Sequence, residues 1–182
     1  MLVLLDRDGV INVDRPDSVK SCDELSLIDG AAEAIAQLNR SGVKIAVVTN
    51  QSVVGRGIIT PDALDAIHRH LQQLLQSKGA ALDAIYVCAD HPDHATHRRK
   101  PEAGMLQEAL QHFSADPAKT PMVGDALRDL QAAKAAGCPR YLVRTGKGSE
   151  LEKSGIPDAL APVEVVDHLP AAVAHIMARY RI

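Results

Sequence analysis

Apolar residues follow two alternating rhythms along this chain. Short, nearly unbroken runs have the length and composition of buried strands: Leu2 to Leu5, Val43 to Val48, Leu82 to Cys88, Pro121 to Gly124, Arg140 to Arg144 and Val163 to Val166. Between them apolar side chains recur every three or four positions, the helical period. Such stretches cover residues 30–39, stopped by Gly42, and 60–77, opened by Thr60-Pro61 with Asp62 in the first turn and closed near Gly79. Others cover 101–112, 126–136 (stopped by Gly137) and 171–179, and a short helix is expected at 149–153. Strands alternating with helices predict an α/β fold whose mainly parallel sheet is covered on both faces. No repeat or linker interrupts the pattern, so residues 1–182 read as a single domain. A sheet of this kind takes its ligands beyond the carboxyl ends of its strands, so the residues that follow each strand are the ones to inspect for chemistry.

Composition removes several classes. With 23 acidic and 20 basic residues the formal charge is -3, without the basic footprint of a nucleic-acid partner. Aromatics are 2% and Trp is absent, which leaves no platform for base stacking. No apolar run approaches the roughly 20 residues of a membrane span. The first strand meets Asp6-Arg7-Asp8 at once and has no basic segment ahead of it, so no secretory leader is expected. Cys22, Cys88 and Cys138 are far apart and odd in number, which favours a reducing cytoplasm over a disulfide framework.

The strand ends carry the candidate chemistry. Asp6-Arg7-Asp8-Gly9 leaves the first strand. Its two carboxylates would share one side if the extended path continued past Asp6, and Gly9 permits a sharp turn. Neighbouring carboxylates repel unless a cation lies between them or one holds a proton. The tripeptide alone is equally a solvated turn. Thr49-Asn50-Gln51-Ser52 follows the second strand, and is either a polar turn or a hydroxyl with backbone N–H groups aimed at an anion. Lys100, after Arg98-Arg99, taken alone is a solvated cation. Gly124-Asp125 ends the fourth strand, with Asp129 in the first turn of the next helix. Jointly these groups would meet at one edge of the sheet.

In this order the four groups resemble the signature of the haloacid dehalogenase-like (HAD) phosphatases, across the chain from the first strand to at least residue 144. The resemblance implies a three-layer Rossmann-like fold. It is essentially capless here, because segments 10–29 and 82–100 hold no additional αβ pattern. It further implies that Asp6 is the nucleophile, forming an aspartyl-phosphate, and that Asp8 is general acid and then general base. Thr49 and the Asn50 backbone would hold phosphoryl oxygens, and Lys100 would balance their charge. The implied cofactor is Mg²⁺, held by Asp6, the backbone carbonyl of Asp8, and Asp125, with Asp129 supporting them.

Beyond the signature, DRDGVINVD (6–14), TNQSVVGRG (49–57), Arg99-Lys100-Pro101, MVGD (122–125) and LVRTGK (142–147) resemble one subgroup, whose members act on a heptose bisphosphate or on histidinol phosphate. Similarity to the former along nearly the full length implies a small sugar bisphosphate as substrate, losing its 7-phosphate. The alternatives are histidinol phosphate or another small phosphomonoester, and a non-catalytic phosphosugar-binding module. Asp14, Asp17, Asn50, Gln51, Ser52, Arg56 and Arg99 are the candidate substrate contacts, with Asn12 and Arg15 beside them; for Arg15 and Arg56 a solvated role stays equally open. Many members of the subgroup carry a zinc in the third loop, in a Cys-x-His…Cys-x-Cys pattern. Here Cys88 remains, but Asp90, Thr96 and Arg98 occupy the other positions, so no structural zinc is expected and the loop must be ordered by its own hydrogen bonds. Cys88, His91, His94 and His97 match no trusted zinc spacing. His68, His70, His112, His168 and His175 read as ordinary residues of helices or helix ends, Arg140, Arg144 and Lys147 as structural or surface groups, and the chain as a monomer.

Overall fold

A computed structural model describes all 182 residues. Its strands are β1 (Leu2–Leu5), β2 (Lys44–Asn50), β3 (Ala84–Cys88), β4 (Met122–Gly124), β5 (Arg140–Val143) and β6 (Val163–Val166). They form one sheet in the order β3-β2-β1-β4-β5-β6, and every neighbouring pair is parallel. The helices are α1 (Ala31–Arg40), α2 (Ser52–Gly55), α3 (Pro61–Gln76), α4 (Gly104–His112), α5 (Leu127–Ala135), α6 (Gly148–Ser154) and α7 (Leu169–Tyr180). Most expected elements appear within a few residues of their sequence bounds. The start of α3 follows its local signals: Thr60 Oγ1 accepts the Ala63 N–H at 3.1 Å, and Pro61 takes the first helical position. Helix α4 starts later than Pro101, because the amides of Glu102 and Gly104 donate back to Arg99 and His97 of the preceding loop. The four-residue α2 was not expected, being too short to display a helical period.

Alternation along the strands sorts the core into two layers. Val3, Leu5, Ile45 and Val47 face α1, α3 and α7, where Ile35, Leu38, Ile67, Leu71, Val173 and Ile176 are buried. Leu2, Leu4, Ala46 and Val48 face the opposite way, against Met105, Leu106 and Ala109 of α4 and Ala132 and Ala133 of α5. The result is the expected three-layer α/β sandwich. No additional layer is inserted after β1 or around β3.

The strand order decides where a ligand can sit. From β1 the chain builds outward through β2 to β3, then returns to place β4 on the other side of β1. The connections leaving β1 and β4 diverge to opposite sides there and open a crevice at the carboxyl ends. Asp6 immediately follows β1, and Asp125 immediately follows β4.

Candidate active site

The crevice is built around a buried ammonium group. Lys100 is 1% exposed, and its Nζ lies 3.0 Å from Asp6 Oδ1 and 2.7 Å from Asp129 Oδ1, while donating to the Val48 carbonyl at 2.7 Å. Burial acts to lower its pKa, but the Asp129 and Asp6 carboxylates outweigh burial and hold the ammonium above the ordinary lysine range. Side-chain hydrogen bonds fix the Lys100 backbone: Asn50 Nδ2 donates to the Lys100 carbonyl at 2.9 Å, and Lys100 N–H donates to Asn50 Oδ1 at 3.1 Å.

Asp6, Asp125 and Asp129 are all buried and offer carboxylate oxygens within 4.8 Å of one another. Burial first, then the negative charge of neighbouring carboxylates, pushes the carboxyls of Asp6 and Asp125 above the usual range. Positive charge is therefore in short supply. Asp129 is fully engaged, since its Oδ2 accepts the Ala126 N–H at 3.0 Å while Oδ1 faces Lys100. Asp125 is not: Oδ2 accepts the Lys147 N–H at 2.9 Å, and Oδ1 is buried with no partner. An all-oxygen donor set, an excess of negative charge and one orphaned buried carboxylate oxygen suit a hard divalent cation such as Mg²⁺. Two glycines make room for this arrangement. A Cβ added to Gly9 (φ 80°) would lie 2.3 Å from Asp125 Oδ2, and one added to Gly146 (φ 58°) would lie 2.1 Å from the same oxygen.

Asp8 does not join that carboxylate group through its side chain. The extended path expected to align it with Asp6 ends in a turn, where the Arg7 carbonyl accepts the amides of Ile11 and Asn12. The Asp8 carboxylate is held instead by Arg7 Nη2 at 3.0 Å to both oxygens, by Asn12 Nδ2 at 2.9 Å and by Gln51 Nε2 at 2.8 Å. Burial acts to raise its pKa, but the Arg7 charge and these hydrogen bonds outweigh it, so Asp8 titrates below the usual carboxylate range. Thr49 is buried beside it, and its hydroxyl oxygen accepts from Gln51 Nε2 at 2.8 Å.

The structure thus brings together Asp6, Asp8, Thr49, Lys100 and Asp125, with Asp129. It revises several proposed substrate contacts. The side chains of Gln51 and Asn50 are engaged inside the protein, bridging Asp8 to Thr49 and clamping Lys100. Asn12 is fully buried under Asp8. Asp17 lies in a surface ion cluster with Lys20 and Arg15. Asp14 stays at the rim, 3.4 Å from Lys147 Nζ. Ser52 and Arg56 make no side-chain hydrogen bond to the protein, and Arg99 lines an open cavity of about 540 Å³ with Thr96, His97, Lys100 and Glu102.

Sequence reading missed four contributors. Lys147, taken as structural or surface, orients Asp125 through its backbone amide, and Thr145 Oγ1 donates to the Gly9 carbonyl at 2.6 Å, tying the loop after β5 to the loop after β1. Arg128, half-buried on α5, has no hydrogen bond or ion pair in the protein; despite burial, Asp129, Asp6, Asp125 and Asp14 keep it charged. His68 contacts Arg7. Only the LVRTGK stretch carried a signal, because it runs past a strand end. The third loop is closed by its own hydrogen bonds: Asp90 Oδ2 accepts both the N–H (2.7 Å) and the hydroxyl (2.6 Å) of Thr96, and His91 Nδ1 accepts the Asp93 N–H at 3.2 Å.

Known proteins resemble this chain in sequence and in fold. The family described as haloacid dehalogenase-like hydrolase matches residues 2–137. A D-glycero-beta-D-manno-heptose-1,7-bisphosphate 7-phosphatase of Bordetella bronchiseptica is 42% identical over 158 residues, 86% of this chain and 88% of its own length. One from Yersinia pestis is 36% identical over 98% of this chain and 96% of its own. The crystal structure of D,D-heptose 1,7-bisphosphate phosphatase from B. bronchiseptica, complexed with magnesium and phosphate, superposes with a TM-score of 0.93 at 38% identity, covering 98% of both chains.

The carboxylate excess makes a prediction independent of activity. Asp125→Asn removes one negative charge but keeps an acceptor for the Lys147 amide. Without divalent cation the variant is expected to melt at or above the wild-type temperature, and to lose the rise in Tm that Mg²⁺ produces in wild type. Thermal melts with and without Mg²⁺ check this; a variant that keeps the full Mg²⁺-dependent rise removes Asp125 from the metal site.

Proposed function

The chain belongs to the haloacid dehalogenase-like hydrolases, and from that membership we propose that its substrate is D-glycero-D-manno-heptose 1,7-bisphosphate, which loses its 7-phosphate and leaves the 1-phosphate. The observation that carries the reading is the meeting of Asp6, Asp125 and Asp129 at the β1/β4 crevice, with Lys100 paired to Asp6 and Asp129. The substrate comes from the names of relatives that match most of the chain, and those names specify the beta anomer.

The chemistry follows from the side chains. The Arg7 amide and Lys100 both hold Asp6 Oδ1, while no hydrogen bond holds Oδ2. A carboxylate oxygen of Asp6 attacks phosphorus. The bond to the sugar oxygen breaks as Asp8 gives that oxygen a proton, leaving an aspartyl-phosphate. Water then attacks phosphorus and passes a proton to Asp8; inorganic phosphate departs and the Asp6 carboxylate is restored. In the resting chain Arg7 keeps Asp8 ionised, and an approaching phosphate dianion favours its protonated form. The Thr49 hydroxyl and the Asn50 backbone N–H offer donors to the phosphoryl oxygens, and Lys100 offsets their charge. Asp6, Asp125 and the Asp8 carbonyl would hold Mg²⁺. When bound, the ion supplies the positive charge that lets one anion approach another.

We assign the 182 residues to one capless catalytic unit, acting as a monomer in the cytoplasm. The three cysteines are unpaired and no helix is long and apolar enough to cross a membrane, both compatible with that setting. Sedimentation showing a stable dimer would overturn the monomer assignment.

Asp6→Asn should lower kcat by about 10⁴-fold or more if it removes the nucleophile; a variant that retains wild-type phosphate release sinks the mechanism. Across both heptose bisphosphate anomers and histidinol phosphate, kcat/KM should be highest for the beta anomer, and a preference for histidinol phosphate would replace the substrate. Arg99→Ala should lose about tenfold more kcat/KM on the bisphosphate than on an aryl monophosphate, as expected for a lost forked anion contact; equal losses would remove Arg99 from substrate recognition. Metal analysis of protein dialysed against Mg²⁺ should find no stoichiometric zinc, and Asp90→Ala should make the 89–100 loop more protease-sensitive; one bound zinc per chain would overturn the hydrogen-bonded closure.

A further inference from the structure

Arg7 is the largest fully buried side chain in the protein, and it carries a permanent charge. Its place follows from strand alternation. Leu5 and Val3 point toward the α1, α3 and α7 layer, and Arg7 extends the same odd-numbered series. Asp6 points the other way, toward Lys100 and Asp129. The guanidinium therefore enters the layer that contains α3. There its Nη1 lies 3.0 Å from His68 Nε2, while Nη2 holds both oxygens of Asp8 at 3.0 Å. His68 is 7% exposed and falls on the core-facing stripe of α3 with Leu64, Ile67, Leu71 and Leu75.

The chemistry of this contact allows one arrangement. Arginine only donates, so His68 Nε2 must accept, and the imidazole is neutral with its proton on Nδ1. Burial, and then the Arg7 charge, push the His68 pKa down to about 4, in line with a neutral ring. Arg7 Nε has no partner, so the hydrogen bonds that orient the guanidinium run to Asp8 on one side and His68 on the other. A buried cation without its second anchor can rotate about its long side chain and pull the Asp8 carboxylate against its remaining bonds from Asn12 and Gln51.

We propose that Arg7 and His68 are positioning residues for proton transfer by Asp8, His68 fixing the Arg7 guanidinium so that Asp8 is aimed at the leaving-group oxygen. The inference rests on the role given to Asp8 above. It adds a requirement for an acceptor at position 68, within the core, on a helix that contributes none of the proposed catalytic groups. Gln at 68 can present an oxygen close to the site of Nε2. Leu fills a similar volume and offers no acceptor.

The test uses leaving groups. A sugar phosphate leaves as a poor alkoxide and needs the proton, whereas p-nitrophenyl phosphate leaves as a stabilised phenolate and needs it far less. The readout is the ratio of kcat on heptose bisphosphate to kcat on p-nitrophenyl phosphate within one preparation, which a partly unfolded sample does not alter. General acid catalysis is worth roughly 10²–10⁴-fold, so partial misalignment in His68→Leu should lower this ratio about tenfold or more, with KM for the bisphosphate changed by less than about threefold. His68→Gln should keep the ratio within about threefold of wild type. Asp8→Asn is measured alongside. If it leaves the ratio unchanged, the role given to Asp8 fails, and this inference with it. If Asp8→Asn lowers the ratio while His68→Leu does not, or if His68→Gln loses as much as His68→Leu, the positioning role of His68 alone is overturned.

Discussion

A buried ammonium group facing two buried carboxylates holds this site together. Lys100 joins four parts of the chain that are distant in sequence: Asp6 after β1, the Val48 carbonyl in β2, its own loop ahead of α4, and Asp129 on α5. Removing a lone charge from water is costly, and one missing partner would leave the others uncompensated in a dry environment. The ammonium answers only part of the negative charge gathered there, which also includes Asp125. The crevice is therefore arranged to accept more positive charge, and in its absence it weakens the fold. Stability comes from the two apolar layers on either side of the sheet, which lie clear of this conflict.

Strand β1 divides the chemistry as it divides the core. Even-numbered residues lead to Asp6 and the α4–α5 side, where phosphorus would be attacked. Odd-numbered residues lead to Arg7 and the α3 side, where Asp8, the proposed proton carrier, is anchored. Anchoring Asp6 and Asp8, the proposed nucleophile and acid, on separately packed layers lets their surroundings differ. Burial and like charges raise Asp6, whereas Arg7, Asn12 and Gln51 lower Asp8. Two carboxylates of similar intrinsic acidity thus acquire opposite shifts in proton affinity from their neighbours, as two different tasks would require.

The loops around the crevice show how few polar residues remain for a substrate. Asn50 and Gln51 belong to the scaffold, clamping Lys100 and bracing Asp8 against Thr49. The Asp90–Thr96 bonds close the third loop and frame Arg99 beside Lys100. Arg56 and Ser52 keep their side-chain donors for solvent or ligand, Arg99 spends only Nη1 on the Asp90 carbonyl (3.4 Å), and Arg128 adds a cation without a protein partner. A doubly phosphorylated, hydroxyl-rich molecule suits that remainder.

The local code carried the elements and the residues that gather at the crevice. Apolar periodicity marked six strands and most helices, because burial of one stripe or one run is a property of neighbouring residues. Asp6, Asp8, Thr49, Lys100 and Asp125 were legible because each stands at a strand or loop end, and parallel topology sends those ends to one edge. Partnerships were not legible. Nothing near Gln51 shows that its amide reaches Asp8 rather than a ligand, and nothing near His68 distinguishes it from an ordinary core residue of an amphipathic helix. Asp17 looked equivalent to Asp14 until the surface cluster with Lys20 and Arg15 engaged it. Hydrogen bonds and ion pairs act over about 3 Å in space, between residues such as Arg7 and His68 that are 61 positions apart. Which side chains become scaffold and which stay free is therefore decided only when the layers pack.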